Sequence, residues 1–178
     1  MEKIMTIETI WNIIYYCAYK IDYKLHMALR KISPIRFILR IPAVNRLLLR
    51  RGGAVEMIDE AVSNTFKDPR SGMSTIFASI VMQGIPFILL FGLHDFYFLI
   101  FNNSQMPAFE IYIYPLFVYG IISGCINYFL LYRKDKYLKY FKKFDKQPRS
   151  WKVKWACISF GVILFPILLL IGSFIAMR

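Results

Sequence analysis

The sequence predicts an all-α, polytopic integral membrane protein with three transmembrane helices and basic amphipathic helices on its cytoplasmic side. Three observations predict it. Apolar residues make up 57% of the 178 positions and mean hydropathy is +0.45, above the usual composition of a soluble globule. The excess is gathered in runs at 74–101, 111–132 and 156–177. Each run meets the roughly 20 residues that a helix needs to cross a hydrocarbon core about 30 Å thick. The net charge of +12 lies beside these runs: residues 1–71 carry twelve Lys and Arg against seven Asp and Glu, and the loop 133–154 carries ten against two. The chain therefore divides into an interfacial helical region, 1–71, and a transmembrane region, 72–178, that contains the basic loop.

Lys and Arg resist translocation, so both basic regions are expected on one, cytoplasmic, face. The connection 102–110 holds no Lys or Arg and is expected on the other. The N-terminus is then inside and the C-terminus outside, in a bacterial inner membrane or, alternatively, an organellar one. The first twenty residues resemble a signal peptide only superficially. Glu2, Glu8 and Asn12 interrupt the apolar core, no small-residue cleavage pattern follows, and the segment is expected to be retained. Cys17, Cys125 and Cys157 are odd in number and widely spaced, which fits neither a disulfide framework nor a zinc site; they read as packing residues.

In chain order, Ile7, Trp11, Ile14, Ala18, Ile21, Leu25, Ala28 and Ile32 recur in steps of four and three, a heptad-like seam on one long helix. Its second half carries Lys20, Asp22, Lys24, Arg30 and Lys31, so the helix is expected to lie in the membrane interface or along a partner. A fourth span at 4–19 is the alternative; its shortness and Glu8 weigh against it. Ser33-Pro34 breaks the helix, because proline lacks the amide donor and restricts the residue before it. A basic amphipathic segment follows, kinked near Pro42, in which Arg36, Arg40, Arg46 and Arg50 alternate with aliphatic residues. These arginines fit anionic lipid headgroups or an acidic partner, or else form a solvated face covering the ends of the spans. Gly52-Gly53 turns the chain into a helix over 54–66 with Val55, Ile58, Val62 and Phe66 on one stripe and Glu56, Asp59 and Glu60 opposite. Residues 67–72 link it to the membrane.

The first span holds Gln83, Gly84 and Pro86 near its middle. Gln83 reads as glue to another helix. His94 and Asp95, near the outer end, and Glu110 across a short turn form an outer polar cluster that is expected to be hydrated. In the second span Gly120 and Gly124 make a Gly-x-x-x-Gly flanked by Ser123 and Asn127, a packing surface within the chain or between copies. The loop then alternates Tyr137, Tyr140, Phe141 and Phe144 with Lys136, Lys139, Lys142 and Lys143. Aromatics among cations also mark single-strand nucleic acid binders, but beside a span they read as interfacial anchors with Trp151 and Trp155, and nucleic acid is not expected as a partner. The lysines, like the arginines before them, read as contacts to anionic lipid or a partner.

No ionisable side chain is expected deep in the spans, which argues against proton-coupled transport. Two isolated histidines supply no His-x-x-x-His, no intramembrane carboxylate pair is visible, and no Walker or Gly-x-Gly-x-x-Gly loop is present. No cofactor or metal and no catalytic residue is expected. The sequence thus points to a non-enzymatic subunit or scaffold of a larger membrane complex, partnered by other membrane subunits or by copies of itself. The alternatives are a homo-oligomeric channel or membrane-perturbing effector lined by Gln83, Ser123 and Asn127, and a lipid-acting enzyme built on His94, Asp95 and Glu110.

Overall fold

The computed structural model describes residues 6–32, 38, 41–50, 55–101 and 109–176, with backbone alone at 31, 47–48, 55–56, 58–59 and 109–112. The chain is all-α. Its helices are α1 (Ile7–Ile32), α2 (Pro42–Arg50), α3 (Val55–Lys67), α4 (Met73–Phe101), α5 (Phe109–Asn127), α6 (Lys136–Asp145) and α7 (Arg149–Ala176). Three segments, Met73–Phe101, Ile113–Asp145 and Arg149–Ala176, are long and apolar enough to cross a membrane, and the protein is an integral membrane protein. The described residues cluster as two compact units, Met1–Ala18 with Ser79–Arg178, and Tyr19–Ala78.

In the first unit, Thr6 caps α1: its hydroxyl accepts the Thr9 amide at 3.3 Å, satisfying one of the free donors of the first turn. Whereas the sequence places this helix on a membrane surface or along a partner, Asn12 through Ala18 are enclosed by the chain's own helices. The rings of α6 are the main cover. Tyr137, Phe141 and Phe144 recur at i, i+4 and i+7 and are buried, so they form one face of α6. Tyr15 packs on Tyr137 and Phe141 at ring separations of 5.6 and 5.4 Å, and Tyr16 on Phe141 and Phe144 at 5.4 and 5.7 Å. Edge-to-face pairs of this kind add about 0.5–1.5 kcal/mol each beyond the burial itself. These three rings are therefore core residues and not the headgroup anchors the sequence implies. Phe144 also meets Trp151 of α7 at 5.3 Å.

Between α5 and α6 the chain widens into a π-helical turn, Tyr128–Tyr132, and then tightens into a 3-10 turn, Arg133–Asp135. A wide turn leaves carbonyls open to outside donors. Asn12 Nδ2 donates to Leu130 O at 3.0 Å, and Lys136 Nζ to Phe129 O at 3.3 Å. Lys134 and Asp135 then take left-handed backbone angles, with φ of 60° and 51°, and this corner starts α6. After α6, Pro148 O accepts the Lys152 amide at 3.2 Å. α7 begins at Arg149, ahead of the apolar run that starts at 156.

In the second unit, Tyr19 donates to Lys67 O at 2.5 Å, and His26 stacks on Phe66 at 4.5 Å while reaching Asp22 at 3.4 Å. Residues 67–72 form a tight corner. Asp68 accepts from the Ser71 hydroxyl at 2.5 Å and the Arg70 amide at 3.0 Å, which holds its carboxyl below the usual range. Gly72 packs 3.0 Å from the carbonyls of Thr65 and Phe66, measured from where a Cβ would stand, so no side chain fits. Pro42 opens α2, where, with no amide to lose and φ preset, proline suits the first helical position; most of the segment before it, across which the kink is expected, lies outside the described residues. The expected break at Pro34 and the Gly52-Gly53 turn lie outside the described residues.

Candidate functional site

The polar side chains of the spans gather where the first half of α1 meets α4 and the end of α5. Asn127, the last residue of α5, is at the centre and is 2% exposed. Its amide nitrogen lies 3.0 Å from Met82 O, 3.2 Å from Gln83 Oε1 and 3.0 Å from Ser123 O, and its oxygen accepts from Trp11 Nε1 at 2.9 Å. An amide has two protons for those three acceptors, so one bond is shared. Ser123 donates to Gln83 O at 2.6 Å, and Gln83 Nε2 donates to Gly120 O at 3.2 Å. Gly124 adjoins the network without being required by it: a Cβ there would stand 3.9 Å from Gln83 Nε2, an ordinary contact. Of the five packing residues named from the sequence, Gln83, Gly120, Ser123 and Asn127 thus share one network, and its members bond one another. On the α1 side, Tyr15 shares a hydrogen bond with Ser79 at 3.0 Å, and burial pushes its phenol well above the usual range. Burial likewise raises the Cys17 thiol, beside Ser159.

A second site lies on an adjoining face of α6, beside the one packed on α1. Lys136, Lys139, Tyr140 and Lys143 recur at i, i+3, i+4 and i+7 and, with Glu8 of α1, line an open pocket of about 340 Å³. Glu8 Oε2 holds Lys136 Nζ at 2.6 Å, and Tyr140 donates to Glu8 Oε1 at 3.3 Å. Three ammonium groups face one carboxylate, so the pocket carries a net positive charge. Lys142 is exposed and lies outside this lining. Glu8, which in the sequence weighs against a fourth span, is the fixed counter-ion of the site.

The outer cluster is distributed otherwise than the sequence implies. Asp95 is fully buried instead of hydrated: Ser173 Oγ reaches its Oδ2 at 3.4 Å while also donating to Leu170 O at 2.7 Å. His94 turns to a different neighbour, its Nδ1 lying 2.6 Å from the Tyr119 hydroxyl. Successive residues point about 100° apart on a helix, so this divergence follows from their adjacency. α4 and α7 approach closely one turn away, where a Cβ on Gly92 would overlap Leu169 Cδ2. The Glu110 side chain, Arg36 and Arg40 lie outside the described residues, while Arg46 and Arg50 are exposed on α2. Among the described residues, no group of three or more His, Cys, Asp or Glu is arranged to hold a metal.

Trp11, Asn12 and Tyr16 are the participants that sequence reasoning passes over. Asn12 donates to both Glu8 O and Leu130 O, and Tyr16 donates to Asp145 at 2.7 Å. Polar atoms within an apolar seam are the signal that marks them. Comparison with protein-family models, curated proteins and solved structures finds no match.

Proposed function

We propose that the chain is a non-enzymatic component of a larger membrane assembly, joined to other membrane subunits or to copies of itself through the outward faces of its long helices. The observation that carries this reading is how little of those faces the chain covers. Only 11% of the apolar window in Ile113–Asp145 and 17% of that in Arg149–Ala176 is buried. Phe160, Leu164, Leu168, Ile171 and Ile175 line one exposed stripe of α7. Beside it Gly161 has nothing within 4 Å of where a Cβ would stand, a flat place at which a second helix backbone can approach closely. Gln83, Ser123 and Asn127, by contrast, bond one another and the backbone of α4 and α5. In this reading the basic regions face the cytoplasm of a bacterial or organellar inner membrane.

Gly161→Ile tests it. The substitution meets open space in the isolated chain, whereas a side chain at Gly92 would press on Leu169 within the chain itself. Purified from its native membrane in mild detergent, the wild-type chain is expected to elute as a complex and Gly161→Ile as a smaller folded species. A monodisperse wild-type monomer with no accompanying protein overturns the reading, and ion conductance across a planar bilayer by the chain alone replaces it with a channel.

A further inference from the structure

We propose that the pocket between Glu8 and α6 is a binding site for the phosphate headgroup of an anionic membrane lipid. The site is built from both helices. Lys136 is oriented by two acceptors, Glu8 Oε2 at 2.6 Å and Phe129 O at 3.3 Å, and Tyr140 is drawn to the same carboxylate. Lys139 and Lys143 complete the lining from the same face of α6, one turn apart. A phosphodiester or phosphomonoester carries the charge to offset the surplus ammonium groups and enough acceptor oxygens to meet three of them together. The adjoining face of α6 is committed to Tyr15 and Tyr16, so the lysine face is held in a fixed orientation. That rigidity separates it from a row of free surface lysines.

The lipid source follows from what adjoins the pocket. Lys136 is bonded to the carbonyl of Phe129, whose ring is half exposed at the end of a membrane-spanning segment and lies under Arg133 at 5.7 Å. Tyr128, also exposed, packs on it at 5.5 Å. Exposed aromatic rings and cations at the end of a span occupy headgroup depth, where acyl chains have an apolar wall to follow and a phosphate meets the lysines. The inference needs only that the chain sits in a membrane and holds whether or not partner subunits exist.

The test is native mass spectrometry of the full chain in mild detergent, titrated with phosphatidylglycerol, phosphatidylcholine, glycerol 3-phosphate and inorganic phosphate. Two charge-matched variants are compared, Lys139→Gln/Lys143→Gln in the pocket and Lys142→Gln/Lys154→Gln outside it. Wild-type chain is expected to retain one phosphatidylglycerol in preference to phosphatidylcholine. The pocket variant is expected to bind it at least ~10-fold more weakly, from loss of two lysine contacts near the surface. The control variant is expected to match wild type, and both are expected to melt at the wild-type temperature. Equal weakening in the two variants overturns the site in favour of diffuse attraction. Saturation by inorganic phosphate or glycerol 3-phosphate at the lipid's concentration overturns the lipid source. Retention of no anion by the wild type overturns both.

Discussion

Lys134 and Asp135 stand side by side in the left-handed region, where a Cβ crowds the following carbonyl at a cost of roughly 1–2 kcal/mol per residue. Asp tolerates that region through its short polar side chain; Lys has no such compensation. Lys134→Gly is therefore expected to stabilise the fold by about 0.5–1 kcal/mol after the extra entropy of glycine is subtracted, and so to raise the thermal midpoint. Asp135→Gly should gain less. Equal shifts in the two variants, measured by melting in detergent, contradict the strain account. A second expectation concerns Cys17. Burial among α1 and its neighbours pushes its thiol up and keeps reagents out, while Cys125 and Cys157 are exposed. A small maleimide should reach Cys17 only after denaturation, read as the mass added to its peptide.

At the scale of the element, the polar network decides which helices depend on one another. Asn127 serves the backbone of α4, the side chain of Gln83 and the indole of α1 at once. Asn127→Ala leaves those groups buried without a partner, a loss of about 1–3 kcal/mol when desolvated groups are orphaned. Pairs in membrane proteins average nearer 0.6 kcal/mol, because the unfolded chain finds other partners. The value here should lie at the upper end, since Asn127 meets several elements, and a double-mutant cycle with Trp11→Phe should show coupling. A coupling of zero in detergent unfolding removes α1 from the network. The long helices were legible in the sequence because an apolar run of that length enters the bilayer, where only a helix satisfies its own backbone groups. Their starts were less so: α7 begins at Arg149 because hydrogen bonding sets a helix boundary, whereas composition marks only where the helix turns apolar. The cover on α1 was not legible either. A stripe at i, i+4 and i+7 names a face of α6 without naming what lies against it, so Tyr137, Phe141 and Phe144 read as interfacial anchors although they are core. The basic pocket was half legible: its lysines stand out by composition, but Glu8 is 128 residues from Lys136 and only folding joins them.

For the whole molecule, charge placement is what orients the chain. The described residues of α6, its flanking turns and the start of α7 hold the dense basic segment, with Lys139, Lys142 and Lys143 exposed. Moving that surface across a bilayer is opposed by every uncompensated cation, at about 2.5–3.5 kcal/mol each near the membrane centre. Glu8 and Asp145 offset little of it. Glu8 is held against Lys136, and Asp145 accepts the hydroxyl of Tyr16. The stretch 102–108 offers no such resistance, having neither Lys nor Arg. With Cys17, Cys125 and Cys157 replaced by alanine, a single cysteine at Ser104 is expected to react with a membrane-impermeant maleimide applied to intact cells. One at Lys142 should react only after the membrane is opened. Lys142 is the better probe than Phe144, which is buried against Tyr16 and would report packing instead of sidedness. The reverse pattern inverts the orientation and puts the lysine pocket on the outer leaflet, where it would meet a different set of anionic lipids.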